Sequence, residues 1–470
     1  MPYLLNLIYL LLILLVLPWL LWQAVRKGKY REGFAAKFLG RVPRRDSQNT
    51  CIWLHAVSVG EVNLLAPLIR HIERHRPDWE CVVSTTTMTG MALAKKKYPQ
   101  LAVFYCPLDF SWAVSAAMRR IRPDVLVLAE LELWPNLVRA ARRRGSRVAV
   151  INGRLSEHSF RGYRRIRPLV APLLRQIDVV AAQDDTYAER FRRLGALESA
   201  VKVTGSMKYD GAQTDRSNPL TRQLRELAGL RDDDIVLLAG STQEGEESVA
   251  LEVFRQLSAA WPRLILIIVP RHPDRFAAVA RMLEESGVPW RRRSELDHKA
   301  ATGGRAGAAE NVATGGEVRG ASNDFERQGA TNGRGFVRAR ILLVDTVGEL
   351  GAWWGTANIA FVGGSLGNRG GQNMIEPAAY GAAVSFGPNT RNFRDIVAAM
   401  LGRNAAVVVA DGRQLRQFVE RCLRQPEYAA ALGDRARSLV LEQLGATQRT
   451  FELLTALANA EHTSPGRAAA

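Results

Sequence analysis

The first apolar stretch of the chain differs from the later ones in its length and in having no polar side. Residues 3–22 read YLLNLIYLLLILLVLPWLLW, carry no charge and include a single strongly polar residue, Asn6. A membrane-spanning helix needs about 20 mostly apolar residues, whereas a core helix normally has a polar side. A cleavable signal peptide would begin with basic residues and end at an A-x-A-like site, and this stretch has neither. The pattern therefore predicts a transmembrane anchor over residues 3–22.

The segment that follows predicts the orientation of this anchor. Residues 23–47 are rich in lysine and arginine. Basic residues next to a membrane span stay on the cytoplasmic side. We therefore expect a single-pass membrane protein with a basic juxtamembrane segment over 23–47 and the rest of the chain in the cytoplasm.

Beyond this segment, short apolar runs alternate with helical stretches in two successive series. Runs such as CIWLHA, DVLVLA and RVAVI belong to the first series, and IVLLA, LILIIV and IAFV belong to the second. Strands that alternate with helices predict a parallel sheet covered on both faces. The expected fold is α/β, with two doubly wound Rossmann-like domains that face a cleft. The predicted boundaries are 48–210 for the first domain, 211–230 for a polar linker, 231–450 for the second domain and 451–470 for a C-terminal tail.

One segment interrupts the second series. Residues 297–334 are rich in Gly, Ala, Thr, Asn and Arg and contain almost no large apolar residue. Such a composition cannot bury enough surface to offset the entropy of ordering. We interpret the segment as a low-complexity insertion in a surface loop, with a functional lid as the less favoured alternative.

Charge and cysteine content narrow the function classes. The formal net charge is +18, which favours anionic partners such as nucleic acid, anionic lipid or a phosphorylated substrate. Arginines crowd the first domain between residues 119 and 167, which suits a surface on anionic lipid. Nucleic acid is disfavoured because no known binding motif is present and aromatic residues do not interleave with the arginines. The four cysteines form no C-x-x-C pair, and no H-E-x-x-H zinc motif occurs.

Glu61 is the first candidate for chemistry. It follows the strand CIWLHA and a short turn, at the end of a parallel sheet where ligands bind. There its carboxylate could act as a general base toward a hydroxyl. Ser58 and Glu61 also match a capping box, in which both side chains satisfy helix N-terminal amides. The spacing alone does not separate these two interpretations.

Further candidates follow two other strands of the first domain. Glu130 and Glu132 come after DVLVLA, and in an extended chain their side chains would point the same way. The alternative is a polar strand end followed by a helix that starts at Pro135. Lys208 follows the strand VKVT at a possible hinge, where an ordinary solvated lysine is the alternative.

Three strand ends of the second domain have the composition of a nucleotide-phosphate site. Gly240–Glu247 reads GSTQEGEE, Arg271 follows LILIIV, and Gly363–Gly381 reads GGSLGNRGGQNMIEPAAYG. Small residues let backbone amides approach an anion, an arginine can bind a phosphate with two N–H groups, and a carboxylate can bind ribose hydroxyls. The stretch is not a Walker loop, because G-x-x-x-x-G-K-[ST] is absent.

These motifs, in this order, resemble the 3-deoxy-D-manno-octulosonic acid (Kdo) transferase family of lipopolysaccharide synthesis, glycosyltransferase family 30. The matching stretches are HAVSVGE, AELELWPNL, NGRLSEHSFRGY, GSMKYD, GSTQEGEE, VPRHPDRF and FVGGSLGNRGGQNMIEPAAYG. The resemblance implies a GT-B glycosyltransferase that moves Kdo from CMP-Kdo to a lipid A precursor, lipid IVA, without a metal or other cofactor. The first domain would bind the lipid acceptor and the second the CMP-Kdo donor.

The resemblance also implies roles for individual residues. Glu61 would be the general base, and Glu132 and Lys208 would stabilise the transition state. The CMP-binding positions would be Pro270, Arg271, Val347, Gly348, Glu349, Asn373, Met374, Ile375 and Glu376.

The chain departs from the family pattern at two glutamines and in the insertion. Gln243 and Gln372 stand where the family usually has histidine, and a glutamine cannot carry a proton at neutral pH. Two alternatives stay open: another membrane-associated GT-B transferase that uses a UDP-sugar and a polyprenyl acceptor, and a non-catalytic lipid-binding scaffold.

Overall fold

The chain folds into two α/β units. A computed structural model describes residues 2–27, 32–296 and 338–460. The first unit comprises residues 1–211 together with 443–470, and the second comprises residues 212–442. The predicted insertion at 297–334 lies outside the described residues.

The first unit contains a seven-stranded parallel sheet in the order β3-β2-β1-β4-β5-β6-β7. Its central strands are mostly apolar and buried, as expected where helices cover both faces. Val125–Ala129, for example, is completely buried. The strands are β1 Thr50–His55, β2 Trp79–Thr85, β3 Ala102–Tyr105, β4 Val125–Ala129, β5 Arg147–Gly153, β6 Val179–Ala182 and β7 Val201–Val203.

Helices connect these strands and cover the sheet. Their apolar sides form two hydrophobic clusters, one on each face. The helices are α1 Pro2–Lys27, α2 Phe34–Leu39, α3 Val59–His75, α4 Met88–Lys97, α5 Ser111–Ile121, α6 Pro135–Arg143, α7 Glu157–Arg165, α8 Arg167–Leu174 and α9 Asp185–Leu194.

The second unit repeats the architecture, with the strand order β10-β11-β9-β8-β12-β13-β14 and parallel pairing throughout. The strands are β8 Ile235–Thr242, β9 Leu264–Pro270, β10 Trp290–Arg292, β11 Ile341–Leu343, β12 Ile359–Val362, β13 Ala383–Phe386 and β14 Val407–Val408. The helices are α10 Pro219–Ala228, α11 Glu246–Ser258, α12 Phe276–Glu285, α13 Leu350–Trp353, α14 Ile375–Ala379, α15 Arg394–Gly402, α16 Gly412–Arg424 and α17 Pro426–Gln443. The prediction of two α/β domains with parallel sheets is confirmed.

The end of the chain differs from the predicted division into a second domain and a tail. Helix α18, Ala446–Asn459, belongs to the first unit, where Phe451 and Leu454 are buried beside α3. Asp210 accepts N–H groups from Gly445 and Thr447 and so binds the start of this helix. The predicted linker likewise contains α10. Both helices have apolar sides that a neighbouring element buries, which the polar composition of these stretches conceals.

The apolar N-terminal stretch is helical, as α1. Among residues 2–27, 32–296 and 338–460, no helix combines the length and hydropathy needed to cross a membrane. The transmembrane helix predicted over residues 3–22 is therefore not found. Its one strongly polar residue, Asn6, is buried against the first unit, and several of its leucines are exposed.

Candidate active site

In each unit, some of the candidate residues follow the strands between which the strand order reverses. In the first sheet this point lies between β1 and β4, and in the second it lies between β8 and β12. Ligands of doubly wound sheets bind beyond the carboxyl ends of the strands at such points, because the connections leave in opposite directions there. Glu61 follows β1 and Glu132 follows β4, so their side chains lie at this point of the first unit.

Glu61 forms the capping box that its sequence suggested. The Ser58 hydroxyl accepts from the Glu61 backbone N–H at 3.3 Å and donates to Glu61 Oε1 at 2.7 Å. Glu61 Oε2 accepts from the Val57 N–H at 2.8 Å. Burial raises the pKa of Glu61, and the charge of Glu130 adds to this effect, whereas the bonds from Ser58 and Val57 oppose it. Each carboxylate oxygen keeps a second lone pair, so the cap leaves room for a proton from a substrate.

Glu130 and Lys208 form an ion pair beside Glu61. The Lys208 Nζ lies 3.0 Å from Glu130 Oε1. The backbone of Glu130 is left-handed, with φ 56°, which costs a residue other than glycine some strain. The expectation that Glu130 and Glu132 continue an extended strand is therefore wrong, because the chain turns at Glu130.

Glu132 has the most perturbed carboxyl group of this cluster. Burial raises its pKa to about 7, and the negative charges of Glu61 and Glu130 contribute. The Trp134 indole donates its N–H to Glu132 Oε2 at 3.1 Å and holds the carboxyl in place. Glu61, Glu130, Glu132 and Lys208 therefore lie close together in the structure. A carboxyl group with a pKa near neutrality can exchange a proton during a reaction.

A buried histidine packs against Trp134, in the turn that carries Glu132. His55, the last residue of β1, is fully buried, and its Nδ1 lies 2.9 Å from the Ser84 hydroxyl. Its ring meets the Trp134 ring edge-on at 6.3 Å between centroids. Burial lowers the pKa of His55 to about 4, so the ring is neutral. Sequence reasoning did not single out His55, although its position beside the turn was visible.

In the second unit, the carboxylate of Glu246 binds the backbone amides of the glycine loop that follows β12. Glu246 is 2% exposed and accepts backbone N–H groups from Gly364, Ser365 and Leu366 at 2.6–2.9 Å. It also accepts from the Gln243 N–H at 2.8 Å. The amides of residues 364–366 are therefore not free for a phosphate, contrary to the sequence-based expectation. Glu246 instead joins the loops that follow β8 and β12.

A second cluster in this unit retains polar groups for a ligand. Asn373 donates its side-chain N–H to Glu376 Oε1 at 2.9 Å and accepts from the Ile375 N–H at 3.1 Å. Burial raises the pKa of Glu376, whereas Asn373 and the positive charge of Arg271 lower it. Pro270 is buried at the end of β9, and the Arg271 side chain is exposed. An exposed guanidinium near a buried carboxyl suits recognition of a phosphate and a ribose.

The remaining predicted CMP-binding residues fall into two groups. Glu349 accepts two bonds from Arg293, at 2.9 and 3.0 Å, and others from Thr346 and the Trp353 indole. These bonds fix Glu349 in place, whereas the neighbouring Val347 and Gly348 are exposed. Met374 and Ile375 are buried, so they can offer a ligand their backbone but not their side chains.

A cavity of about 820 Å³ lies at the amino-terminal ends of the strands of the second sheet. Ile235 and Ile359, the first residues of β8 and β12, line it together with Tyr380 and Arg437. The predicted CMP-binding residues stand at the opposite, carboxyl ends of the strands. Within the described residues, no group of three or more His, Cys, Asp or Glu side chains is arranged to hold a metal ion.

Two tandem doubly wound units with parallel sheets define a GT-B-like fold. The chain shares this fold with the UDP-GlcNAc 2-epimerase of Neisseria meningitidis bound to UDP-GlcNAc. That match has a TM-score of 0.52 and 12% identity, and it covers 87% of this chain and 100% of the other.

Sequence comparisons define the family. Residues 31–211 match the family model described as 3-deoxy-D-manno-octulosonic-acid transferase. The 3-deoxy-D-manno-octulosonic acid transferase of Haemophilus influenzae is 30% identical over 92% of this chain and 92% of its own. That of Bordetella pertussis is 32% identical over 94% and 95%. The chain belongs to the 3-deoxy-D-manno-octulosonic acid transferase family and is a glycosyltransferase.

Proposed function

We propose that the protein transfers Kdo from CMP-Kdo to lipid IVA, the lipid A precursor of lipopolysaccharide. The observation that carries this proposal is the group of Glu61, Glu130, Glu132 and Lys208 at the β1–β4 switch point, in a chain that belongs to the Kdo transferase family. In the reaction, the acceptor hydroxyl oxygen bonds to the anomeric carbon of Kdo. The bond from that carbon to the phosphate of CMP breaks, and CMP leaves with the electron pair.

Glu61 is the general base of this step. Its raised pKa makes its carboxylate a better proton acceptor than an ordinary glutamate, and both oxygens are held in fixed positions by Ser58 and Val57. The hydroxyl proton passes to Glu61 as the new bond forms. Glu132 and Lys208 stabilise the charges that develop at the sugar and at the leaving phosphate.

The second unit binds the donor. The exposed Arg271 guanidinium suits the phosphate, and the Asn373–Glu376 pair suits the ribose hydroxyls. Gln243 and Gln372 leave this binding without a titrating histidine, so donor affinity should vary little between pH 6 and 7 on their account.

The acceptor side suits a lipid, and we place the enzyme at the inner membrane with both units on the cytoplasmic side. The exposed side chains of α1 include Leu10, Leu11, Leu14 and Leu15, and Phe34 and Trp112 are also exposed. Exposed apolar side chains beside basic residues are typical of surfaces that bind anionic lipid.

Product analysis tests this function. The full chain is incubated in lipid vesicles with CMP-Kdo and tetra-acylated lipid A precursor, and the lipid product is identified by mass spectrometry. We expect CMP release and the addition of Kdo, with no turnover of UDP-sugars. Glu61→Gln should lower kcat at least about 100-fold, because general base catalysis contributes on that order.

The matched control is Glu73→Gln, which changes an exposed glutamate on the same helix and should leave kcat unchanged. Full activity of Glu61→Gln would refute the assignment of the base. Turnover of a UDP-sugar, or no Kdo transfer by the wild type, would refute the proposed reaction and favour another transferase or a scaffold.

A further inference from the structure

Helix α1 turns Asn6 and Tyr9 toward the first unit and exposes several of its leucines. Asn6 is 5% exposed, and Tyr9 and Ile13 are partly buried, whereas Leu14 is 63% exposed. The three inward residues recur at helical spacing and form one side of the helix. This is the reverse of an ordinary surface helix, whose apolar side faces the core.

The buried side chains of α1 bind the start of α5. Asn6 accepts from the Ser111 backbone N–H at 3.0 Å and donates to the Ser111 hydroxyl at 2.7 Å. The Tyr9 hydroxyl donates to Asp109 Oδ2 at 3.1 Å, and its ring meets the Phe110 ring edge-on at 6.0 Å.

Asp109 in turn binds the start of α6. It is 4% exposed and accepts the backbone N–H groups of Asn136 at 3.0 Å and Leu137 at 2.8 Å. The Asn136 side chain returns a bond to the Asp109 carbonyl at 2.6 Å. The residue at the N-cap position of α6 is Trp134, which makes no side-chain cap. Asp109 therefore replaces the missing cap, and a carboxylate is favoured there by the helix dipole.

The chain that enters α6 is the turn that carries Glu132 and Trp134. Glu132 and Trp134 lie four and two residues before Asn136, respectively, and Trp134 holds the Glu132 carboxyl. A hydrogen-bonded path thus runs from Tyr9 through Asp109 to the residues next to the acidic cluster. We call Asn6, Tyr9, Asp109, Ser111 and Asn136 the α1 latch.

A helix that only attached the protein to a membrane would not need this path. An amide buried among apolar groups costs free energy unless it is hydrogen bonded, and a leucine would serve attachment better. Asn6 and Tyr9 are instead matched to partners in α5 and in the residues before it.

We propose that Asn6 and Tyr9 are positioning residues for catalysis, which hold Asp109 and thereby fix the turn that carries Glu132 and Trp134. This inference rests on the proposed function. Helix α1 then positions residues of the acidic site, in addition to any role in binding the membrane. Its contacts set the rate of the transfer step and not the affinity for the nucleotide.

Two substitutions on the same helix make a matched test in the full chain. Tyr9→Phe removes the hydroxyl that binds Asp109, and Tyr3→Phe removes a hydroxyl from a residue that is 85% exposed. In phosphatidylethanolamine–phosphatidylglycerol vesicles, we expect Tyr9→Phe to lower kcat about fivefold. This is less than the full effect of losing one hydrogen bond to a charged group, because the Tyr9 hydroxyl acts on the site only through Asp109. The KM for CMP-Kdo, vesicle binding and the melting temperature should stay unchanged, and Tyr3→Phe should match the wild type in every measurement.

Asn6→Leu extends the test, because it makes α1 more apolar while removing the bonds to Ser111. We expect vesicle binding equal to or stronger than that of the wild type, together with a reduced kcat. A second readout needs no activity: hydrogen exchange of the segment 132–140 should be about tenfold faster in Tyr9→Phe than in Tyr3→Phe.

Three outcomes separate the possibilities. Wild-type kcat and exchange in Tyr9→Phe and Asn6→Leu would overturn the latch proposal while leaving the proposed function intact. A lower melting temperature with unchanged kcat would also overturn it, because the bonds would then be merely structural. Faster exchange in Tyr9→Phe, with no Kdo transfer by the wild type, would support the latch and refute the proposed function.

Discussion

At the scale of residues, Glu61 shows how one side chain can satisfy two interpretations. The sequence left a capping box and a general base equally open, and the structure shows that the box is formed. The same environment that completes the box also buries the carboxyl and raises its pKa. The two roles are compatible, because the cap bonds fix the carboxylate without using all its lone pairs.

The raised pKa of Glu132 predicts that the stability of the protein falls as the pH rises. Its folded-state pKa, about 7, lies above the ordinary 4.5, so the native state binds more protons than the unfolded state between these values. The raised pKa of Glu132 therefore does not affect the free energy of unfolding below about pH 4.5. The unfavourable effect grows as the pH rises and is complete above about pH 7. Glu132→Gln should raise the melting temperature by about 1–3 °C at pH 8 and by nothing measurable at pH 4.5, while abolishing most activity.

Scanning calorimetry at pH 4.5, 6 and 8 provides the measurement. Glu73→Gln removes the same charge from an exposed site and should show no such pH dependence. An equal shift in Glu132→Gln at all three pH values would contradict the raised pKa of Glu132.

At the scale of elements, the glycine loop after β12 shows what sequence composition leaves open. The loop has the small residues of a phosphate cradle, yet its amides bind Glu246 from α11. The choice of partner depends on a residue more than 110 positions away in the chain, and composition does not report it. The loop is shaped by an internal anion, and Asn373, Glu376 and Arg271 remain for a ligand.

Glu246→Gln should weaken the second unit. The amide nitrogen of glutamine cannot accept, so at least one buried N–H loses its partner, and the free energy of unfolding should fall by about 2–4 kcal/mol. Calorimetry of the full chain with and without CMP identifies the transition of the second unit and measures the change. Glu252→Gln, an exposed glutamate on the same helix, should change it by less than about 0.5 kcal/mol. Equal stability of the two variants would show that these bonds contribute little.

At the scale of the whole molecule, the two units differ in continuity. The second is one uninterrupted stretch, 212–442, whereas the first needs residues 443–470 as well. Helix α18 completes the first core, since Phe451 and Leu454 pack with α3 residues there. The predicted boundary at 450 and the predicted tail therefore divide a helix that belongs to the first unit.

Excision of the units tests this division. Residues 212–442 produced alone should fold and bind CMP within about threefold of the full chain, because their core is complete. Residues 1–211 alone should be less stable by about 3–6 kcal/mol than when residues 443–470 are supplied, the amount expected for burying Phe451 and Leu454. Urea unfolding and CMP titration measure both effects. A stable fragment 1–211 would show that α18 is dispensable.

Much of the fold and part of the site followed from the sequence. Apolar runs such as Val125–Ala129 alternate with amphipathic helices along the chain. This alternation predicts a parallel α/β fold without knowledge of distant contacts. Glu61, Glu132 and Lys208 could be selected as candidates because ligands of such folds bind at strand ends, which a sequence reveals. The two-domain organisation and the family followed from the same ordered motifs.

Only the tertiary structure decided which distant side chains, loops and helices contact one another. It joined Glu130 to Lys208, Glu246 to the loop of residues 364–366, α18 to the first unit, and Asn6 and Tyr9 to the start of α5 and to Asp109. In the sequence, residues 3–22 formed an uncharged apolar run and predicted a transmembrane anchor. Its polar side chains gained a role when their partners, about 100 residues away, were known. Local periodicity is fixed by neighbouring residues, whereas the partner of a buried polar group is fixed by long-range packing.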